Sequence, residues 1–178
     1  MKPASTRYQP PFSRSREASS AGVRVLVALL LYALAAPAVA TATCSVSAPA
    51  LAFGPYDVFA GTQITSSTTI SVTCTLVGSS ATTVDYTVAL SSGFSGTFSP
   101  RTMKSGAAAL SYNLYKDSTR TTVWGDGTGI TQTVIGQMKL KNSNPSQTDN
   151  ITAYGSVPAL QDAAVGVYSD SVTITVTY

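Results

Sequence analysis

Between Val172 and Tyr178 the chain alternates without interruption: Val172, Ile174, Val176 and Tyr178 are separated by Thr173, Thr175 and Thr177. A period of two places one set of side chains on a core and the other in solvent, which is the signature of a half-buried β-strand and excludes a helix. The same alternation recurs upstream. Ile70, Val72, Cys74 and Leu76 are interleaved with Ser71, Thr73 and Thr75, and the sets Val84, Tyr86, Val88, Leu90 and Leu110, Tyr112, Leu114 behave alike. Between these runs lie turn clusters: Gly78-Ser79-Ser80, Ser91-Ser92-Gly93, Gly125-Asp126-Gly127 and Asn142-Ser143-Asn144-Pro145. Short alternating strands punctuated in this way predict an all-β antiparallel sandwich in one domain, with neither an internal repeat nor a linker.

The first forty residues have a different character. Arg14, Arg16 and Arg24 precede an apolar run from Val25 to Ala36, and Ala38 and Ala40 supply small residues at positions −3 and −1 of a cleavage site. This pattern predicts a secretory signal peptide over residues 1–40, cut after Ala40, and a folded domain over residues 41–178. The apolar run is about a dozen residues, short of the roughly 20 that span a bilayer. No stable membrane insertion is therefore expected once the signal is removed. A lipoprotein anchor at Cys44 is disfavoured, because Thr41-Ala42-Thr43 lacks the small residue that should directly precede the cysteine.

Removing the leader reverses the electrostatics. The formal charge of the whole chain is +3, yet Lys2, Arg7, Arg14, Arg16 and Arg24 all lie in the leader, and the remainder carries six basic residues against seven aspartates. The basic balance belongs to export and offers no footprint for nucleic acid. Past the leader there is no Glu and no His. That excludes a Ser-His-Asp triad and a glutamate pair, while Lys104 and Ser105, as strand neighbours, point to opposite faces. No enzyme is expected, and no cofactor or metal. Asn150-Ile151-Thr152 matches a glycosylation sequon, a motif short enough to arise by chance. Cys44 and Cys74 in an exported chain predict a disulfide, closing a loop that constrains the unfolded chain by about 3.5–4 kcal/mol.

The chemically densest stretch is LSYNLYKDSTRTTVWGDGTG, residues 110–129. Its Gly125-Asp126-Gly127 triplet reads as a structural turn, with Gly supplying positive φ and Asp bonding its own backbone. A calcium site would need several more oxygen ligands at defined spacing than Asp117 and Asp126 provide. Trp124 reads as a core or strand-edge anchor.

With FGPYD at 53–57, TISVTC at 69–74, YTVALSSG at 86–93, RTM at 101–103, the stretch just quoted and GVYSDSVTITVTY at 166–178, the chain resembles the spore coat protein U domain family, which includes subunits of archaic chaperone–usher pili. The resemblance implies an immunoglobulin-like sandwich lacking one strand, and a secreted structural subunit of a surface fibre assembled by donor-strand complementation. It implies a periplasmic chaperone, an outer-membrane usher and neighbouring pilin subunits as partners. It also implies passage through the periplasm to the cell surface or fimbrium, with roles in adhesion and biofilm. Val172, Ile174, Val176 and Tyr178 are then the expected strand-acceptor and chaperone interface, since the last strand borders the gap. The alternative for this run is an ordinary paired core strand. A donor extension needs roughly ten alternating residues ahead of the first cysteine, and the expected cut leaves only Thr41-Ala42-Thr43. A terminal or minor, adhesive subunit is therefore expected; the alternative is a self-contained secreted coat or binding module. N-terminal sequencing of the exported protein should begin at Thr41; a start ten or more residues earlier would restore a donor strand.

Overall fold

Alternation becomes two antiparallel sheets in the computed structural model, which describes residues 41–178; the leader expected over residues 1–40 lies outside the described residues. The strands are β1 (Thr41–Ser47), β2 (Ile64–Val77), β3 (Thr82–Leu90), β4 (Arg101–Ser105), β5 (Ala108–Tyr115), β6 (Val134–Leu140), β7 (Ser146–Val157) and β8 (Ile174–Thr177). One sheet has five strands in the order β1-β2-β7-β5-β4, the other three in the order β6-β3-β8. Every pairing between these strands is antiparallel. The arrangement is an immunoglobulin-like β-sandwich. Among the described residues no helix is long and apolar enough to cross a membrane.

The apolar phase of each strand supplies the core. Ile70, Val72, Cys74 and Leu76 from β2 meet Val84, Tyr86, Val88 and Leu90 from β3, with Met138 and Leu140 from β6 and Leu110, Tyr112 and Leu114 from β5, all buried. Each large aliphatic removed from water in this way contributes about 1.5–3 kcal/mol. The hydroxyl phase of β2 faces outward and pairs with β7: Ser71 Oγ donates to Asn150 Oδ1 at 2.7 Å, Thr73 and Thr148 hydroxyls meet at 2.7 Å, and Thr75 and Ser146 at 3.1 Å. Such cross-strand pairs explain how a chain so rich in Ser and Thr stabilises its exposed face. Cys44 and Cys74 lie directly opposite each other in the β1–β2 ladder and are joined by a disulfide, with 4.0 Å between their Cα atoms. Across the sandwich, Tyr86 donates its hydroxyl to Asp149 Oδ2 at 2.7 Å, tying β3 to β7.

The other end of the core is organised by a charge. Arg101 shares its strand phase with Met103 and is completely buried. Its Nε and Nη2 donate to the Ser91 carbonyl at 3.1 and 2.9 Å, Nη2 also to the Trp124 carbonyl at 2.7 Å, and Nη1 to Asn113 Oδ1 at 2.8 Å. The guanidinium also lies 5.0 Å from the Phe98 ring centroid. Burial pulls its pKa down from the ordinary arginine value. A planar fork of five N–H donors is the side chain that can satisfy three diverging oxygens while remaining charged. Arg101→Met should cost about 3 kcal/mol or more in chemical denaturation, because the Ser91 and Trp124 carbonyls would be left buried without donors. Arg101→Lys should recover only part of that loss.

Candidate functional site

β8 sits at the edge of the three-stranded sheet and pairs only with Thr87–Leu90 of β3. The way it joins β3 shows which of its backbone groups are free. Ser91 N–H donates to the Thr173 carbonyl at 2.9 Å, and Thr173 N–H donates at 2.9 Å to Ser91 Oγ. The Ser91 carbonyl, which a regular ladder would have used, is occupied by Arg101. Thr173 therefore faces β3, and in an antiparallel ladder the alternate residues face the other way. The backbone N–H and C=O groups of Ile174 and Val176 point to the outer side, along which no strand of the described residues pairs. Their side chains, with that of Val172, are half-buried against the core. Tyr178 lies past the end of β8 and is 55% exposed. The alternation that put Tyr178 in phase with Val176 thus continues in the sequence but not in the strand.

Beside β8 is a cavity of about 450 Å³, with Ile70, Ala153, Leu114 and Leu90 among its lining and Val172 and Ile174 along one side. A second cavity of about 770 Å³ runs on from it between segments 51–59 and 163–168, and Leu51, Phe53, Met103 and Tyr168 line both. The wall carrying β8 is firmly placed. Ser169 exchanges two backbone hydrogen bonds with Lys104 on the edge of the five-stranded sheet, at 2.8 and 3.0 Å, before the chain crosses to Thr173. Asp170 anchors the crossing: its Oδ2 accepts the Tyr112 hydroxyl at 2.6 Å, and its Oδ1 accepts the N–H groups of Phe94 and Ser171 at 2.8 and 2.7 Å. Burial first, and the bond to Asp170 second, push the Tyr112 hydroxyl well above the ordinary tyrosine range.

The 110–129 stretch lies at the Arg101 end and is consumed by its own architecture. Trp124 is fully buried, donates Nε1–H to the Val88 carbonyl at 3.0 Å and its own N–H to the Leu114 carbonyl at 2.9 Å. The Gly125 carbonyl accepts Leu90 N–H at 3.1 Å, so this segment bridges β5 and β3. Asp126 Oδ1 accepts the N–H and hydroxyl of Thr128 at 2.9 and 2.7 Å and the Thr131 hydroxyl at 3.4 Å, while Gly127 takes a φ of +88°. The Thr128 hydroxyl, then its N–H, hold the Asp126 carboxyl below its ordinary value. Asp117 is engaged in the same manner by Thr119, Thr121 and Thr122. Among the described residues no cluster of three or more Cys, Asp, Glu or His side chains is placed to hold a metal ion.

The sequence reading missed Arg101, the double use of Ser91 and the Tyr112–Asp170 bond. A signal for the first was present, since Arg101 stands in phase with the apolar Met103 at the start of a strand. Asp126→Ala should lower the melting temperature modestly at neutral pH. A depressed carboxylate stabilises above its unfolded pKa and loses that effect as pH falls through the folded one, so the difference from wild type should shrink on acidification. Calcium should leave melting of both proteins unchanged, and a calcium-dependent rise would reinstate a metal site.

The family model of the Spore Coat Protein U domain matches residues 30–175. Protein U of Myxococcus xanthus is 31% identical over 135 residues, which cover 72% of this chain and 71% of that protein. Among solved structures, the CsuC–CsuE chaperone–tip adhesion subunit pre-assembly complex, from archaic chaperone–usher Csu pili of Acinetobacter baumannii, matches with a TM-score of 0.47 and 22% identity. That match covers 78% of this chain and 40% of the solved one, so the chain spans less than half the length of that structural relative. The family model takes in β1 to β7 and the first half of β8, with the disulfide and the buried arginine, and on that match the chain belongs to the Spore Coat Protein U domain family.

Proposed function

We propose that this chain is a non-enzymatic structural subunit of a surface fibre, exported through the periplasm and completed by an extended strand added along the outer edge of β8. The observation that carries the reading is the pairing of an open edge with an adjoining groove: the outward backbone groups of Ile174 and Val176 run along an edge at which Val172 and Ile174 line a cavity of about 450 Å³ shared with core side chains. Strand addition draws affinity from main-chain hydrogen bonds and specificity from alternate side chains, and both are available here. The first strand could come from a periplasmic chaperone and its replacement from a neighbouring subunit, with an outer-membrane usher between them, as the family resemblance implies. A terminal or minor, adhesive position is the finer part of the proposal. It rests on the expected cut after Ala40: the three residues then left ahead of Cys44, namely Thr41, Ala42 and Thr43, pair with Val77, Leu76 and Thr75 and are engaged inside their own sheet.

A second reading has its own support. Leu51 and Phe53 pack against the core from within the gap, as a self-contained coat or binding module would require. The two readings differ in what an added strand does to stability. A supplied strand peptide or chaperone should raise the melting temperature in a concentration-dependent way if the sandwich is unfinished. Ile174→Asp should abolish that rise by placing a charge in the groove, whereas Thr175→Asp, on the exposed face, should change it little. A highly stable monomer that ignores every donor would favour the coat module.

A further inference from the structure

Leu51 and Phe53 stand where the two cavities meet, since both residues line each of them. The Phe53 ring approaches Tyr112 edge to face, with 5.9 Å between centroids. Beneath it lies Gly155 of β7. A Cβ at that position would fall 2.7 Å from Phe53 Cζ and 3.1 Å from Leu51 Cδ2. The nearest residues of β7 in this phase, Ile151, Ala153 and Val157, all carry side chains, so the glycine opens a local depression that the ring fills. The segment that holds the ring there is fastened lightly. The Pro49 carbonyl accepts the Thr68 hydroxyl at 3.0 Å and the Ala52 carbonyl accepts the Ser66 hydroxyl at 2.7 Å, in place of a ladder to β2. Firm anchorage begins only at Tyr56, whose hydroxyl donates to the Pro158 carbonyl at 2.9 Å and accepts Gln161 N–H at 2.8 Å.

With the ring lifted, the two cavities become one trough along the inner face of the five-stranded sheet, from Ile70 and Ile174 at one end to Leu110 and Val157 at the other. We infer that the depression over Gly155, edged by Tyr112, is a subsite of the strand groove that accepts an aromatic side chain, filled at rest by the chain's own Phe53 and taken over by an aromatic residue of the incoming strand. The inference rests on the strand-accepting reading above. Its physical basis is shape: a ring makes edge-to-face contact with Tyr112 and fills the space left by the missing Cβ, whereas a branched aliphatic side chain leaves part of that space empty. The resident ring also sets a threshold, because apparent affinity falls with the fraction of molecules in which the subsite is open.

The test uses the disulfide-bonded protein and peptides alternating valine with threonine, with a lysine at each end, in which each valine in turn is replaced by phenylalanine. Calorimetry on wild type should show one phenylalanine position that binds several-fold more tightly than the all-valine peptide, and the Phe53–Tyr112 ring contact, followed by NMR, should disappear on binding. Phe53→Ala should tighten that peptide by about tenfold, the gain expected if the subsite is closed about nine-tenths of the time, and Phe53→Leu should act in the same direction more weakly. Gly155→Ala should erase the preference for phenylalanine, since its Cβ occupies the depression; Gly155 has no positive φ and the displaced atoms are side-chain ends, so the fold should survive. Weaker binding of every peptide by Phe53→Ala and Phe53→Leu, a Phe53–Tyr112 contact that persists in the bound state, or an unchanged preference in Gly155→Ala would each overturn the subsite while leaving strand acceptance standing. Failure of all peptides on all variants would overturn strand acceptance itself and the subsite with it.

Discussion

Arg101 takes the carbonyl of Ser91, and much of the architecture follows from that hydrogen bond. β3 arrives at Ser91, β4 starts at Arg101, β5 contributes Asn113 and the following segment contributes Trp124, so one guanidinium draws both sheets onto a shared point. Removing a charge from water is expensive unless each polar nitrogen finds an oxygen. The chain meets this condition with backbone carbonyls and one side-chain amide, which fixes those carbonyls in space. The effect reaches the open edge, because the Thr173 N–H must donate to the Ser91 hydroxyl oxygen in place of the carbonyl. The last regular rung between β3 and β8 therefore falls at Leu90 and Ile174. Core electrostatics and the position of the groove are in this sense one feature.

The strands with both a buried and an exposed face were legible in the sequence because their two environments are written in alternate residues. β2, β3 and β5 owe their legibility to that contrast, whereas β7 carries no such apolar alternation in its first half and was not read as a strand; β2 also carries the cysteine whose partner sits one strand away. The last strand was legible as a run but not in its extent. The alternation from Val172 to Tyr178 marks which side chains can face a core, whereas the ladder of β8 is limited by where β3 turns away. The occupation of the gap by Leu51 and Phe53 had no periodic signal, since that segment forms no strand and its carbonyls are held by Ser66 and Thr68. Contacts of this kind depend on three-dimensional proximity among residues distant in sequence, as does the meeting of Tyr112 with Asp170.

A sandwich with one short edge strand is a compromise between solubility and competence to assemble. An exposed edge is a template for any passing strand, and proteins ordinarily blunt it. Here the restraint is local: β8 is brief, a non-strand segment screens part of the interior, and the disulfide secures β1 at one margin of the other sheet. The groove thus lies between one side held by backbone pairing and another held by side chains alone.

The hydroxyl pairs on the outer face of β2 and β7 have a consequence of a different order. Ser71 with Asn150, Thr73 with Thr148 and Thr75 with Ser146 hold neighbouring strands together without any ionisable group. Attraction between exposed charges weakens as ions accumulate, within a screening distance of about 8–10 Å at moderate salt. Neutral hydroxyl contacts carry no such dependence, nor do they change with proton concentration. Three such contacts along one pair of strands therefore bind the outer face of the sheet by forces that neither dissolved ions nor titration of their own groups would weaken.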